Sequence, residues 1–129
     1  MDANVALRAC LAESGFSDLG AHELVAPPLM WIEAASGIHE LKWRKEIAED
    51  VADAAFSRLG AAPVAERRPR HLAERAWRVA DELGWAKLYD AQYVALAMLL
   101  AMPLLTIDAR LRSGASRVVE VIGPTELPR

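Results

Sequence analysis

The segment formed by residues 90–107 constrains the fold more than any other part of the sequence. A helix is predicted over residues 90–101, and it ends at Met102 and Pro103 because proline cannot continue a helix. The apolar run over residues 104–107 follows, without the alternation of apolar and polar residues that a half-exposed strand shows. Such a run is typical of a parallel strand covered by helices on both faces. The segment therefore predicts an α/β fold.

Helices and strands alternate along the rest of the chain in the same way. Helices are predicted over residues 4–13, 29–41, 44–59, 69–83, 90–101 and 109–113, and strands over residues 24–26, 62–65, 104–107 and 118–122. This order predicts an α/β architecture with a short, mostly parallel central sheet flanked by helices. With 129 residues, the sequence is expected to form one domain, residues 1–129.

Four acidic residues are predicted to meet at the carboxyl edge of this sheet, where open α/β sheets bind ligands. Asp90 begins a helix at that edge, and Asp108 follows the strand that returns to it. Glu33 lies in the early turns of the helix after residues 24–26, and Asp2 lies immediately before the first helix. Asp90 and Asp108 are equally explained as helix N-caps. Four carboxylates on one edge would be costly without a counter-charge, which a metal ion would supply.

The types of residue at this edge favour Mg²⁺ or Mn²⁺ over Zn²⁺, because carboxylates are present and the three histidines show no ligand spacing. The sequence contains no phosphate-binding glycine loop, no dinucleotide fingerprint, no nucleophile elbow and no Cys-x-x-Cys motif. Among the chemistries considered, metal-assisted hydrolysis of a phosphodiester is the one that these absences leave possible. Thr106 and Asn4 would provide neutral hydrogen-bonding groups beside the acids.

Charge and hydropathy narrow the expected partners and location. The formal net charge of −3 argues against a protein that simply coats nucleic acid. A basic run over residues 67–78 is either a solvated helix face or a patch that contacts phosphates. The candidate RNA-binding residues are Arg67, Arg68, Arg70, Arg110 and Arg112. No apolar run reaches the length of a membrane span and no signal-peptide pattern is present, so a cytoplasmic protein is expected.

Several short motifs resemble those of a known family. They are Asp2-Ala3-Asn4-Val5, Glu33 after Pro27-Pro28, residues 89–97 (Tyr-Asp-Ala-Gln-Tyr-Val-Ala-Leu-Ala), and residues 105–111 (Leu-Thr-Ile-Asp-Ala-Arg-Leu). In this order they resemble the PIN domain, and more narrowly the small VapC-type toxins of bacterial toxin–antitoxin pairs. The resemblance implies a three-layer sandwich and a Mg²⁺- or Mn²⁺-dependent endoribonuclease that cuts structured RNA such as tRNA or rRNA. It also implies a homodimer neutralised by a cognate antitoxin. The implied metal-site residues are Asp2, Glu33, Asp90 and Asp108, supported by Thr106 and Asn4.

The start of the sequence departs from this pattern. PIN domains begin with a short apolar strand before the first aspartate, whereas only Met1 precedes Asp2 here, so a truncated first strand is predicted. This departure supports an alternative, a catalytically inactive PIN-like module that binds RNA or protein. A metal-dependent nuclease acting on DNA ends or flaps is a third possibility.

Aromatic residues in the helices suggest contact surfaces, although core packing is the more common role for the first set below and an equally common one for the second. Trp31, Trp43 and Phe56 are candidates for a groove that binds an antitoxin helix. A dimer contact is the corresponding hypothesis for a second set, Trp77, Trp85, Tyr89 and Tyr93.

Overall fold

Short parallel strands form the sheet part of the fold in a computed structural model that describes residues 1–128. Strand β1 (Leu24–Ala26) pairs with β2 (Val64–Glu66), and β3 (Leu104–Leu105) pairs with β4 (Val121–Ile122). Both pairs are parallel, and together with the helices they confirm the predicted α/β class.

Met1 and Asp2 lie between the two strand pairs. The amino group of Met1 donates to the carbonyl oxygen of Val25 in β1 at 2.7 Å. The backbone N–H of Asp2 donates to the carbonyl oxygen of Leu105 in β3 at 3.1 Å. The first two residues thus make hydrogen bonds to both pairs, and they place Asp2 beside the end of β3.

Helices make up most of the remaining structure. Within residues 1–128 they are α1 (Ala3–Leu11), α2 (Leu29–Trp43), α3 (Glu49–Gly60), α4 (Leu72–Leu83), α5 (Tyr89–Leu100) and α6 (Ala109–Ala115). Two 3₁₀ turns, Gly15–Leu19 and Pro124–Glu126, complete the order of elements. Helices α1, α2 and α3 pack against one another, and α4 packs against α5. None of the helices in the described part of the chain has the length and apolar composition needed to span a bilayer.

Helix α5 and strand β3 both contribute to the hydrophobic core. After its exposed first turn, helix α5 buries residues all around its axis, among them Tyr93, Val94 and Leu96. Leu104 and Leu105 of β3 are buried as well. This is the buried parallel strand that the apolar run predicted, although it is shorter than residues 104–107.

The helix predicted over residues 44–59 begins five residues later, at Glu49, and this boundary was wrong. Helix α2 ends at Trp43, and Lys45 then takes a left-handed conformation with a φ angle of 59°. The N–H of Glu46 closes the helix end by donating to the carbonyl oxygen of Leu41 at 2.9 Å. Glycine or asparagine usually occupies such a position, so a lysine gave no sign of the break.

Some residues assigned to the core are exposed instead. The helical spacing of Val51, Phe56 and Trp77 predicted core positions, and this prediction was wrong, because their exposed fractions are 44%, 62% and 63%. Cys10, which its apolar neighbours Leu7 and Leu11 predicted to be a core residue, is buried. Asp90 is not an N-cap: Leu88 occupies that position, and Asp90 is the second residue of α5.

Candidate functional site

The candidate site lies where α1, α5 and α6 begin, next to the end of β3. Asp2 is the N-cap of α1, and Asp108 is the N-cap of α6. Asp90 lies in the first turn of α5. Carboxylates are favoured at these positions because the N-terminus of a helix carries a partial positive charge and free N–H groups. Local helix chemistry therefore accounts for the position of each of the three aspartates.

One hydroxyl group joins Asp2 to Asp108. The side chain of Thr106, which is 2% exposed, donates from Oγ1 to Oδ2 of Asp2 at 2.6 Å. The same Oγ1 accepts the backbone N–H of Asp108 at 3.0 Å. The other oxygen of Asp2, Oδ1, accepts the N–H of Val5 at 3.2 Å. Both oxygens of Asp2 are therefore held by the protein, and Thr106 fixes the backbone of Asp108 relative to them.

Asp108 caps α6 with one of its two oxygens. Its Oδ1 accepts the N–H groups of Arg110 at 2.9 Å and of Leu111 at 3.3 Å. Because both capping bonds use Oδ1, the cap leaves the lone pairs of Oδ2 for another ligand. The N-cap alternative is thus correct for Asp108, and it is compatible with a further role.

The aspartates affect one another electrostatically. Burial raises the pKa of Asp2, against the hydrogen bonds from Thr106 and Val5, and the negative charge of Asp108 raises it further. Burial also raises the pKa of Asp90, again with a contribution from Asp108 and an opposing one from Arg110. Like charges at short range resist simultaneous ionisation, so a bound cation would relieve this repulsion.

Glu33 reaches the same region from α2 through Tyr93. The hydroxyl of Tyr93 donates to Oε1 of Glu33 at 2.6 Å. Burial and the hydrogen bond to Glu33 raise the pKa of this phenol, and the charges of Asp2 and Asp90 raise it further. The effect of these charges means that Glu33, Asp2 and Asp90 all lie within electrostatic range of one phenol.

The donor chemistry of this region fits a hard divalent cation, although the acids do not form a closed cage. In residues 1–128, no three His, Cys, Asp or Glu side chains are grouped closely enough to hold a metal ion together. Mg²⁺ usually keeps several waters and binds through one or two carboxylates rather than an all-protein cage. Asp90 and Asp108, with oxygen donors and mutual repulsion, fit a water-rich site of that kind.

A cleft of about 810 Å³ opens beside Asp108. It lies between α1, the Gly15–Leu19 turn and residues 123–128, and Arg8, His22 and Arg112 are among its lining residues. The guanidinium of Arg112 forms an ion pair with both carboxylate oxygens of Glu126. Arg8 also lines a second depression next to Asp108, together with Asn4 and Ile107. A basic residue of α1 therefore flanks the acids.

The structure brings some of the predicted residues together and leaves others at the surface. Thr106 joins Asp2 to Asp108, and Asp90 lies within electrostatic range of Asp108. Glu33 is hydrogen-bonded to Tyr93, which lies within electrostatic range of Asp2 and Asp90. The exposed candidates are Asn4, Arg67, Arg68, Arg70, Arg110 and Arg112. The N–H of Arg67 donates to the carbonyl oxygen of Ala26, so the basic run starts at the carboxyl ends of β1 and β2.

Two residues of this region were not among the predicted site residues. Tyr93 was assigned to the core or to a dimer contact, and Arg8 was not considered. The spacing of three residues between Asp90 and Tyr93 places both on one side of α5 and was a usable signal. Arg8 is likewise one helical turn after Asn4.

Comparison with known proteins provides one match. The sequence profile of the PIN domain family matches residues 1–116. A comparison with curated proteins finds no significant match.

Proposed function

Because the chain belongs to the PIN domain family, whose members are generally metal-dependent nucleases, we propose that it is a VapC-type toxin of a toxin–antitoxin pair. In this proposal it is a Mg²⁺- or Mn²⁺-dependent endoribonuclease that hydrolyses phosphodiester bonds of structured RNA, such as tRNA or rRNA, in the cytoplasm. The observation that carries the proposal is the hydrogen-bonded chain Asp2–Thr106–Asp108, with Asp90 within electrostatic range of Asp108.

In the proposed site the four acids differ in exposure and in how many of their oxygens are already hydrogen-bonded, and we assign each acid a different role on this basis. Asp90 and Asp108 would hold the ion, because Asp90 is exposed and Oδ2 of Asp108 is not used by the helix cap. Asp2 is fixed at both oxygens and would add charge and orientation. Glu33 would complete the set from α2. A bound Mg²⁺ or Mn²⁺ would lower the pKa of a bound water and offset charge on the phosphate.

RNA would approach from the exposed side of these acids. Arg8 lines the cleft beside Asp108, and Arg67 begins the basic run at the end of β2. Guanidinium groups bind phosphates well, and their contribution to affinity weakens with added salt. Arg112 is the weakest of the candidates, since it already pairs with Glu126.

An antitoxin would bind the groove between α2 and α3 in this proposal. The groove measures about 610 Å³ and includes Ile32, Trp43 and Phe56, which are 66%, 80% and 62% exposed. The exposed apolar side chains suit the apolar face of an amphipathic helix. Trp77 and Tyr89, exposed at 63% and 54%, are the corresponding candidates for the homodimer contact.

RNA cleavage tests the enzymatic part of the proposal. Purified protein should cut tRNA or rRNA with Mg²⁺ or Mn²⁺ and should be inactive with EDTA. Asp90→Asn and Asp108→Asn should each lower the rate at least about 100-fold, because each removes a charged ligand. Asp81→Asn, at an exposed position of α4, is the matched control and should cut at the parental rate. Activity in EDTA, or full activity of both site variants, would contradict the mechanism.

The second candidate is the catalytically inactive PIN-like binding module. It is favoured by the finding that no three potential ligands are preassembled in residues 1–128. Under this alternative the parent protein would bind RNA or a helical peptide and cut neither RNA nor DNA ends with any divalent ion. A DNA-end or flap substrate in the same assay covers the third possibility.

A further inference from the structure

Tyr93 occupies a position that links two helices at the candidate site. Its ring is buried, with 3% of the residue exposed, in α5 one turn after Asp90. Its hydroxyl reaches across to α2 and donates to Oε1 of Glu33 at 2.6 Å, over a sequence separation of 60 residues. The bond therefore connects the helix that carries Asp90 to the helix that carries Glu33.

The hydroxyl of Tyr93 has a single proton and several acidic neighbours. A tyrosine hydroxyl keeps its proton at neutral pH, so this group has one hydrogen bond to donate. Asp2 and Asp90 are also within electrostatic range, but the hydrogen bond goes to Glu33. The oxygens of Asp2 are already occupied by Thr106 and Val5. Glu33 is thus the acid that depends on Tyr93 for its orientation.

Glu33 needs such a partner more than the aspartates do. A glutamate side chain has more rotatable bonds than an aspartate, so it loses more conformational freedom when it is held in one orientation. Asp2 and Asp108 are oriented by the N–H groups of the helices that they cap. Glu33 lies at the fifth position of α2, beyond the first turn, where the N–H groups are bonded within the helix.

We propose that Tyr93 is a positioning residue, whose hydroxyl holds the carboxylate of Glu33 on the side of the candidate site where Asp2 and Asp90 lie. This inference rests on the proposed function, because it assigns Glu33 to the metal site. Tyr93 itself touches neither ion nor substrate and acts through Glu33. The buried ring packs in the core whether or not the hydroxyl is present, so the two contributions can be separated.

Tyr93→Phe removes the hydroxyl and keeps the ring. Titration of the metal-free protein with Mn²⁺, followed by electron paramagnetic resonance, should show about 10-fold weaker binding in Tyr93→Phe, as for other partners that orient a metal ligand. Asp81→Asn, at an exposed position of α4, is the control and should bind Mn²⁺ like the parent. In RNA cleavage, Tyr93→Phe should lower kcat with little change in KM for RNA.

A double-mutant cycle tests whether the hydroxyl acts through Glu33. Glu33→Gln should weaken Mn²⁺ binding, and adding Tyr93→Phe should produce no further loss. Glu33→Asp shortens the side chain by one methylene and should reproduce the loss with tyrosine in place, which covers the case of an unstable Tyr93→Phe. Parental Mn²⁺ affinity in Tyr93→Phe, or additive losses in the cycle, would overturn this inference alone. A parent that binds no Mn²⁺ and cuts no RNA would overturn the proposed function and this inference together.

Discussion

Replacement of Thr106 by valine tests the connection between Asp2 and Asp108. Valine has nearly the shape of threonine, so the substitution removes the hydroxyl and leaves the buried volume almost unchanged. Two hydrogen bonds are lost: the donation to Oδ2 of Asp2 and the acceptance of the N–H of Asp108. The rest of the site keeps its packing, which makes the hydroxyl the variable under test.

The size of the effect follows from these two bonds. A hydrogen bond to a charged acceptor contributes about 1.5–3 kcal/mol, and a buried N–H left without an acceptor costs about 1–3 kcal/mol. The N–H of Asp108 is only partly buried, so water can replace part of the second bond. We therefore expect Thr106→Val to lower the free energy of unfolding by about 2–4 kcal/mol. Thr106→Ser keeps the hydroxyl, loses one methyl group and should cost about 1 kcal/mol.

The stability lost in Thr106→Val should increase as the pH rises. The hydrogen bond from Thr106 lowers the pKa of Asp2, so its removal raises that pKa further. A carboxyl group whose folded pKa is raised binds protons more tightly when folded, and stability falls as pH rises from the unfolded pKa through the folded one. The difference in the free energy of unfolding between Thr106→Val and the parent should therefore be larger at about pH 8 than at about pH 4.

Urea denaturation of the metal-free proteins, followed by tryptophan fluorescence, measures this difference in the free energy of unfolding. Equal stabilities of Thr106→Val and Thr106→Ser would show that the hydroxyl contributes nothing. The same difference in unfolding free energy at both pH values would show that the hydrogen bond from Thr106 does not act on the charged form of Asp2.

Two further predictions concern packing and RNA binding. A Cβ at Gly114 would lie 2.7 Å from Cζ2 of Trp85, so Gly114→Ala should destabilise the fold by about 1–3 kcal/mol in thermal or urea unfolding. Gly60→Ala, with no atom within 4 Å of its Cβ, is the control and should be neutral or stabilising by up to about 1 kcal/mol; a Gly114→Ala protein as stable as Gly60→Ala would contradict the packing at Trp85. If the basic run contacts phosphates, the pair Arg67→Glu and Arg68→Glu should weaken RNA binding and reduce its salt dependence, measured by fluorescence anisotropy at several salt concentrations. Charge reversal at Arg44 and Lys45, at the far end of α2, is the matched control. An unchanged salt dependence of RNA binding in the Arg67 and Arg68 variant would favour the interpretation of the basic run as a solvated helix face.

Local chemistry made much of the fold and of the candidate site predictable from the sequence. Carboxylates at helix starts, prolines after helix ends and the continuous apolar run at Leu104 are signals that depend on nearby residues only. These signals gave the order of the elements and the carboxyl edge at which Asp2, Asp90 and Asp108 lie. The non-helical segment over residues 44–48 was missed, and α3 was predicted to begin too early, because the left-handed residue after α2 is Lys45, which carries no helix-stop signal.

Exposure and long-range contacts were less predictable, because they depend on how the helices pack. Phe56 has the helical spacing of a core residue, yet it faces the groove between α2 and α3. Tyr93 was recognised as an apolar position, but its bond to Glu33 connects residues 60 apart in sequence. Periodicity predicts which side a residue occupies on its own helix. It does not predict which polar group a neighbouring helix presents there.

The difference between Asp2 and Asp90 shows how the proposed site would combine rigidity with access. Asp2 is 3% exposed and fixed at both oxygens, so its geometry changes little when a ligand arrives. Asp90 is exposed, and it forms no capping bond in α5. A rigid acid orients Asp108 through Thr106, whereas an accessible acid can exchange water for an ion. Because Mg²⁺ retains much of its hydration shell, a site of this kind suits it better than a closed cage of carboxylates. The absence of three preassembled ligands in residues 1–128 is therefore compatible with metal binding. The Mn²⁺ titration distinguishes a metal-dependent nuclease from a binding module that holds no ion.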